Sequence, residues 1–100
     1  MSMKNYDKAS WHIDGGEKES DVIARFKDVF TFLADKKMLN EEGLETFEFG
    51  MDSSVSLNSN MVTAEGEAFL DAYYDVVLSK NTKDTTKNLQ IAYEEYINKN

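Results

Sequence analysis

Residues 20–36 read SDVIARFKDVFTFLADK, and this stretch decides the fold. Its apolar side chains recur at spacings of three and four residues, at Ile23, Phe26, Phe30 and Leu33. That period matches one face of an α-helix, so the stretch is predicted to form an amphipathic helix at the centre of the core. Ser20 followed by Asp21 is typical of a helix start, because a hydroxyl caps free backbone N–H groups and an acid favours the first turn.

A second, shorter helix is predicted after the central one. Asn40 is expected either to end the central helix or to cap the next one, because the two glutamates that follow it suit the first turn of a helix. Gly43 is expected to weaken this helix and Gly50 to end it, because glycine is a poor helix former that adopts positive φ without steric cost. The serine- and asparagine-rich residues 51–62 are predicted to form a loop with one short strand.

The C-terminal half predicts two more helices. Thr63 is a candidate N-cap for the first, and Asn81 with Asp84 resembles a capping arrangement for the second. The predicted inner face of the first comprises Phe69, Ala72, Tyr73, Val76 and Val77. The apolar residues of the second are Leu89, Ala92, Tyr93, Tyr96 and Ile97. Aromatic side chains at this spacing most often pack in a core, with tyrosine hydroxyls reaching the surface.

The segment before the central helix is predicted to be extended. Residues 9–13, ASWHI, place Ala9, Trp11 and Ile13 on one side at period two, which is typical of a short strand or an extended arm. The glycine pair at 15–16 then turns the chain. Trp11 is expected to pin this arm onto the helices, because a large apolar ring on a polar segment needs a burial site.

These elements predict a mainly α fold, α+β at most. The expected architecture is a compact, bundle-like packing of about four helices with a short N-terminal strand or extended arm. A chain of 100 residues is near the commonest size of one domain, so residues 1–100 are expected to form a single domain. The composition is 41% hydrophobic, which is enough to build one core.

Charge and composition exclude several classes of function. Nineteen acidic against eleven basic residues give a net charge of -8, which repels nucleic acid and anionic membranes and favours a basic partner protein. The sequence has no cysteine, which rules out disulfides and thiolate chemistry and favours a cytoplasmic location. It has no run of about 20 apolar residues for spanning a membrane, and its first residues lack the apolar run of a secretory signal.

His12 is the only histidine, so any imidazole chemistry has to run through it. Asp7, Asp14 and Glu17 are close in sequence and are candidates to orient its ring. With two tyrosines expected beside it, the candidate binding residues are Trp11, His12, Asp14, Tyr73 and Tyr74. A lone histidine among scattered acids is more often structural than functional, so the sequence predicts no catalytic residue, metal site or cofactor.

Paired acids recur on the polar sides of the predicted helices, where such pairs most often form a solvated face. The candidate acidic partner face comprises Glu41, Glu42, Glu94 and Glu95. The sequence has no glycine-rich phosphate loop and no nucleophile elbow, which argues against nucleotide-binding and hydrolase functions. The stretch from Asp52 lacks the glycine and the terminal glutamate of a calcium loop, so calcium binding of that type is rejected.

Two motifs, NYDKASWHIDGG at residues 5–16 and GEAFLDAYY at residues 66–74, carry a likeness to a known family. The matching residues are Asp7, Ala9, Ser10, Trp11, His12, Gly66, Phe69, Tyr73 and Tyr74. The chain resembles a family of short bacterial proteins of uncharacterised function that share an Asp-x-Ala-Ser-Trp-His start. Members of that family tend to carry a histidine and a tryptophan in the first long helix, where this chain has Phe26 and Leu33. The resemblance implies no settled activity, and by size and charge it suggests an analogy with immunity and antitoxin proteins.

Two classes of function follow from these observations. The favoured one is a small, acidic, non-enzymatic protein-interaction domain whose charged face binds a basic partner, as immunity proteins do. The alternative is a small-molecule-binding protein or enzyme with a site centred on His12. A surface cleft that contains Trp11, His12 and the two tyrosines favours the alternative, whereas an exposed acidic and aromatic patch favours the interaction domain.

Overall fold

Helices dominate the computed structural model of the chain, which describes the backbone of residues 4–79 and 85–99 and the side chains of residues 4–74 and 85–98. The elements are β1 (Asn5–Lys8), α1 (Ala9–Asp14), α2 (Glu19–Asp35), α3 (Glu41–Phe49), β2 (Ser56–Asn58), a 3-10 turn (Ser59–Met61), α4 (Ala64–Ser79) and α5 (Thr85–Lys99). β1 and β2 pair as a small antiparallel sheet. The prediction of a mainly α fold with a short N-terminal strand is therefore confirmed.

The N-terminal strand lies earlier in the chain than predicted. β1 ends at Lys8, and residues 9–13, predicted to be extended, instead belong to helix α1. Ala9 and Ile13 lie one helical turn apart and both pack on the core, where Ala9 is fully buried. Apolar residues four apart fit a helix as well as a strand. The backbone N–H of Ala9 still donates to Val55 O (3.0 Å), so the helix begins where the sheet pairing ends.

α2 forms the centre of the core, as its apolar period predicts. Its buried side chains are Val22, Phe26, Val29, Phe30, Phe32 and Leu33. Ile23, predicted on the same face, is only half-buried, because the buried face of the helix is centred on Val22 and Phe26. The helix begins at Glu19 rather than after Ser20, since the backbone N–H groups of residues 21 and 22 both donate to Lys18 O at 3.1 Å.

α3 packs closely on the chain around Met61, and Gly43 makes this approach possible. Asn40 caps the helix as predicted, because its Oδ1 accepts a hydrogen bond from Gly43 N at 2.9 Å. A Cβ atom at Gly43 would lie 2.2 Å from Met61 O, which is too close for any side chain. Gly43, expected to weaken the helix, therefore allows its packing. Gly50 ends the helix as predicted, but its φ of 110° and ψ of 156° lie outside the αL region expected of such a stop.

α4 begins at a capped turn and buries two pairs of side chains. The hydroxyl of Thr63 accepts a hydrogen bond from Gly66 N at 3.1 Å, which confirms the predicted cap. The buried large residues of α4 are Phe69, Leu70, Tyr73 and Tyr74. Ala72, predicted on the inner face, is exposed, because the buried stripe passes to either side of it. The side chains of Val76 and Val77 lie outside the described residues.

α5 packs against α2 and α4 through aromatic rings. The ring centroid of Phe69 on α4 lies 6.2 Å from that of Phe32 on α2, and 6.1 and 5.6 Å from those of Tyr93 and Tyr96 on α5. Of the apolar residues predicted to lie on α5, Leu89 and Ala92 are buried, whereas Ile97 is 48% exposed. The predicted cap at residues 81–84 lies outside the described residues.

Candidate functional site

The structure brings two of the predicted binding residues together through Asp7. His12 lies on α1 and Tyr74 on α4, and both side chains contact the carboxylate of Asp7 on β1. The Tyr73 ring, by contrast, packs in the aromatic cluster between α4 and α5. Asp14, a candidate to orient His12, is exposed and is not one of the partners of its ring.

Asp7 is a nearly buried carboxylate with three hydrogen-bond partners, and only 3% of the residue is exposed. Its Oδ1 accepts the backbone N–H of Lys8 at 2.9 Å and lies 2.7 Å from His12 Nε2. Its Oδ2 accepts the hydroxyl of Tyr74 at 2.9 Å. A buried charge needs such partners, because an uncompensated carboxylate inside a protein is very costly.

A β-bulge explains how two consecutive residues both reach α4. The register of β1 on β2 shifts between Asn5 and Asp7, where the strand has an extra residue. Consecutive side chains of a regular strand point to opposite faces, but here Tyr6 and Asp7 are both buried. The Tyr6 hydroxyl donates to Asp71 Oδ1 on α4 at 2.9 Å, one turn before the contact of Asp7 with Tyr74. The bulge therefore fastens β1 to α4 at two points.

The ring of His12 links Asp7 to a second, exposed carboxylate. His12 Nδ1 lies 2.9 Å from Glu17 Oε2, and the other oxygen of Glu17 accepts from Arg25 Nη1 on α2 at 2.6 Å. The edge of the ring also faces Phe26, with centroids 6.4 Å apart. Charges alternate in sign along this series from Asp7 to Arg25 when His12 carries its proton. We use the name His12 network for the five residues Asp7, His12, Glu17, Arg25 and Tyr74.

Glu17 is the carboxylate of the His12 network whose ionisation responds to its partners. An ionised carboxylate only accepts hydrogen bonds. The hydrogen bond from Arg25 lowers the pKa of Glu17, and the bond from His12 acts in the same direction. The same bond to Glu17 raises the pKa of Arg25. Glu17 is therefore held in the ionised form that accepts from both partners.

The tyrosine end of the network is held in its neutral form. Burial raises the pKa of the Tyr74 hydroxyl well above its usual value, and the nearby charge of Asp7 and the hydrogen bond to it act in the same direction. Burial also raises the pKa of Tyr6, with the hydrogen bond to Asp71 as a second cause. Both hydroxyls therefore serve as hydrogen-bond donors at neutral pH.

The His12 network connects β1, α1, α2 and α4 and occupies both nitrogens of the ring. A general base needs one ring nitrogen directed at a substrate, and here each nitrogen faces a carboxylate of the same chain. Asp7 and Glu17 were identifiable from their closeness to His12 in sequence. Arg25 and the role of Tyr74 were not, because no local spacing links them to the histidine. These contacts hold α1 against β1, α2 and α4.

Trp11 lies outside the core, contrary to the prediction that it pins an arm. It is 54% exposed, and Lys8 Nζ lies 5.7 Å from the ring centroid. The helical form of residues 9–14 is the physical reason, because it turns Ala9 and Ile13 inward and Trp11 outward. The side chains that hold this segment are those of Ala9 and Ile13, which pack on the core, and those of the His12 network.

The four acids of the predicted partner face do not line one surface feature. Glu41 and Glu42 line an open cleft of about 510 Å³ at the start of α3, together with Asn40, Glu45 and Asn60. Glu94 lines a different cleft of about 570 Å³, with Asp28 and the first turns of α5. Glu95 is exposed but lines neither cleft, and His12 lines neither.

Three further observations bear on function. Among the described residues, no group of three or more histidine, aspartate or glutamate side chains is arranged to hold a metal ion. No helix in the described ranges combines the length and the apolar character needed to cross a membrane. Comparisons with protein-family models, with curated proteins and with solved structures give no match for this chain.

Proposed function

We propose that the protein is a small, acidic, non-enzymatic interaction domain that binds a basic partner protein through the exposed side of α1. The observation that carries this proposal is the exposure of Trp11, 54% of which is accessible to a partner. Tryptophan is enriched among the residues that dominate binding energy at interfaces, because its large, rigid ring buries much area at small entropic cost.

The attachment of α1 to the core supports this role. His12, next to Trp11, is bonded to Asp7 and Glu17, and Ala9 is fully buried at the start of the helix. A helix of six residues has little stability of its own, so these contacts are what keep it formed. A ring on a fixed backbone loses less freedom on binding than one on a mobile arm, which favours affinity.

Charge supports a basic partner. The net charge of -8 attracts cationic surfaces, and the exposed Glu41, Glu42 and Glu45 form a local concentration of negative charge beside one cleft. Among the described side chains, those of residues 4–74 and 85–98, no lysine, arginine or histidine lies within ion-pair distance of these three glutamates. The resemblance to small bacterial proteins and the analogy with immunity and antitoxin proteins agree with this proposal, which also places the protein in the cytoplasm.

The proposed function is tested by capture of a partner from a lysate of the native cell, with Trp11→Ala compared against Phe49→Ala. Phe49 is 95% exposed on α3 and provides a matched loss of an exposed aromatic ring. We expect Trp11→Ala to weaken binding on the order of tenfold or more and Phe49→Ala to leave it unchanged. Equal binding by Trp11→Ala, in a variant whose circular dichroism is native, would refute the proposal.

One observation favours the alternative of a small-molecule site centred on His12. The contact of Asp7 with His12 Nε2 at 2.7 Å resembles the way a carboxylate orients an imidazole for proton transfer. Such a site requires Glu17 to leave Nδ1, and the 42% exposure of its side chain permits that movement. Under this alternative, His12→Gln abolishes binding or turnover of the small molecule, while partner capture persists. The interaction proposal instead expects His12→Gln to reduce partner capture, because α1 loses its contacts with Asp7 and Glu17.

A further inference from the structure

The exposed face of α1 combines an aromatic ring with an unpaired carboxylate. Trp11 and Asp14 are three residues apart on the helix, a spacing that makes side chains neighbours on one face. Asp14 is exposed, and no cation of the described residues lies within ion-pair distance of it. We call Trp11 and Asp14 the α1 face.

The ring of Trp11 already accepts a cation. Lys8 Nζ lies 5.7 Å from the ring centroid, within the range at which the negative face of an indole attracts a positive charge. Lys8 reaches the ring from the last residue of β1, and its ammonium pairs with no carboxylate among the described side chains of residues 4–74 and 85–98. This intramolecular contact shows that the exposed ring is accessible to a cation.

We propose that the partner docks an arginine side chain on the α1 face, where its guanidinium stacks on Trp11 in place of Lys8 and pairs with Asp14. This inference rests on the proposed function and names the side chain that the partner supplies. Arginine fits better than lysine, because its planar guanidinium stacks on an aromatic ring while its edge donates two parallel hydrogen bonds to a carboxylate. The net charge of -8 draws such a partner to the surface.

The single tryptophan makes the test direct, because all indole emission reports Trp11. The probe is a capped hepta-arginine peptide, and its control is the hepta-citrulline peptide, which has the same shape without charge. We expect saturable quenching of Trp11 emission by the arginine peptide and none by the citrulline peptide. Quenching of equal strength by both peptides, or by neither, overturns the proposal.

Matched charge variants separate the α1 face from general attraction between opposite charges. Lys8→Gln removes the competing cation and is expected to strengthen peptide binding about two- to fivefold, whereas Lys27→Gln, at an exposed position of α2, has a smaller effect. Asp14→Asn is expected to weaken binding more than Glu41→Gln on α3. Equal effects within each matched pair mean that the peptide binds the acidic surface at large, and the proposal is wrong.

The same variants distinguish failure of this inference from failure of the proposed function. If Trp11→Ala leaves partner capture unchanged, the interaction role of α1 itself is wrong. A different result separates the two proposals. If Trp11→Ala abolishes capture, but Lys8→Gln changes peptide binding no more than Lys27→Gln does, the interaction stands and the arginine contact is wrong. An effect of Asp14→Asn on peptide binding equal to that of Glu41→Gln completes this result. Native circular dichroism of each variant excludes misfolding, since all these side chains except the half-buried Lys8 are exposed.

Discussion

Asp7 is the residue at which contacts from three elements meet. His12 reaches it from α1 and Tyr74 from α4, while Asp7 itself belongs to β1. Exposed ion pairs such as Lys4 with Asp71 contribute little, because water screens them and ordering two long side chains costs entropy. The energetics of the N-terminal segment therefore depend more on this one carboxylate than on the surface pairs around it.

The first prediction is that Asp7→Ala lowers the free energy of unfolding by about 1–3 kcal/mol. The change leaves the buried hydroxyl of Tyr74 without its acceptor and removes the contact of His12 Nε2 with β1. Urea denaturation followed by circular dichroism measures the loss. Asp14→Ala is the control, because this exposed acid on the same segment is expected to change stability by no more than about 0.5 kcal/mol. A loss of similar size in both variants contradicts the role given to Asp7.

The second prediction concerns alkaline pH and Tyr74. Its pKa is raised in the folded state, so the protein favours the neutral hydroxyl, and this contribution to stability is complete below the unfolded pKa of about 10 and is lost as pH rises above it. We expect the free energy of unfolding to fall between about pH 10 and pH 12. In Tyr74→Phe this fall should be shallower than in the wild-type protein. Equal slopes in the two proteins would contradict the prediction.

At the scale of elements, the length of a helix decides how well its sequence predicts it. The 17 residues of α2 repeat their apolar period several times, and only a helix fits that repetition. The six residues of α1 span less than two turns, so Ala9 and Ile13 fit period two and period four equally well. What decides between them lies elsewhere in the chain, in the pairing with β2 and in the contact of Asp7 with His12.

The candidate site was predictable to the extent that its residues are near one another in sequence. Asp7 and Glu17 each lie five positions from His12, and both were candidates to orient it. The contact of Asp7 with Tyr74 spans 67 positions, and no spacing rule relates residues so far apart. The exposure of Trp11 was unpredictable for a related reason, because it depends on α1 being a helix.

The third prediction tests the close packing of α3. Gly43→Ala is expected to destabilise the protein by about 1–3 kcal/mol, although alanine is the better helix former, because the new Cβ collides with Met61 O. Gly15→Ala is the control: its φ of -78° suits any residue, and its Cβ would contact no atom closer than 3.4 Å. We expect that variant to gain about 0.4–1 kcal/mol. Thermal denaturation measures the change in stability of both variants. A change of the same sign in both contradicts the packing described for α3.

At the scale of the whole molecule, the negative charge is spread over more than one surface. Glu41 and Glu42 lie at one cleft and Glu94 at another, so a partner that covers one region leaves charge at the other free. Charge at either place still attracts a cationic partner over a distance set by ionic strength. The surface that the proposed partner contacts and the rate at which that partner associates can therefore be changed separately.

The fourth prediction follows from that separation. The association rate with a captured basic partner should fall as salt rises, because screening at about 0.15 M shortens the reach of exposed charge to about 8 Å. We expect each of two double variants to slow association and to leave folding nearly intact. One combines Glu41→Lys with Glu42→Lys, and the other combines Glu94→Lys with Glu95→Lys. Trp11→Ala should instead speed dissociation. Surface plasmon resonance measures both rates, and association that ignores salt and both reversals contradicts an acidic interaction domain.

The contact of Asp7 with Tyr74 also sets an order in time. A ribosome releases the chain from its N-terminus, so β1 and α1 emerge long before the 67 following positions that end at Tyr74. Closing so long a loop is slow compared with forming a local helix. Until then His12 lacks an acceptor fixed by α4, and Trp11 sits on a segment too short to stay helical alone. A nascent chain halted before residue 74 therefore presents Trp11 on a segment that lacks its contact with α4, so the proposed recognition of a partner requires Tyr74 to have been synthesised.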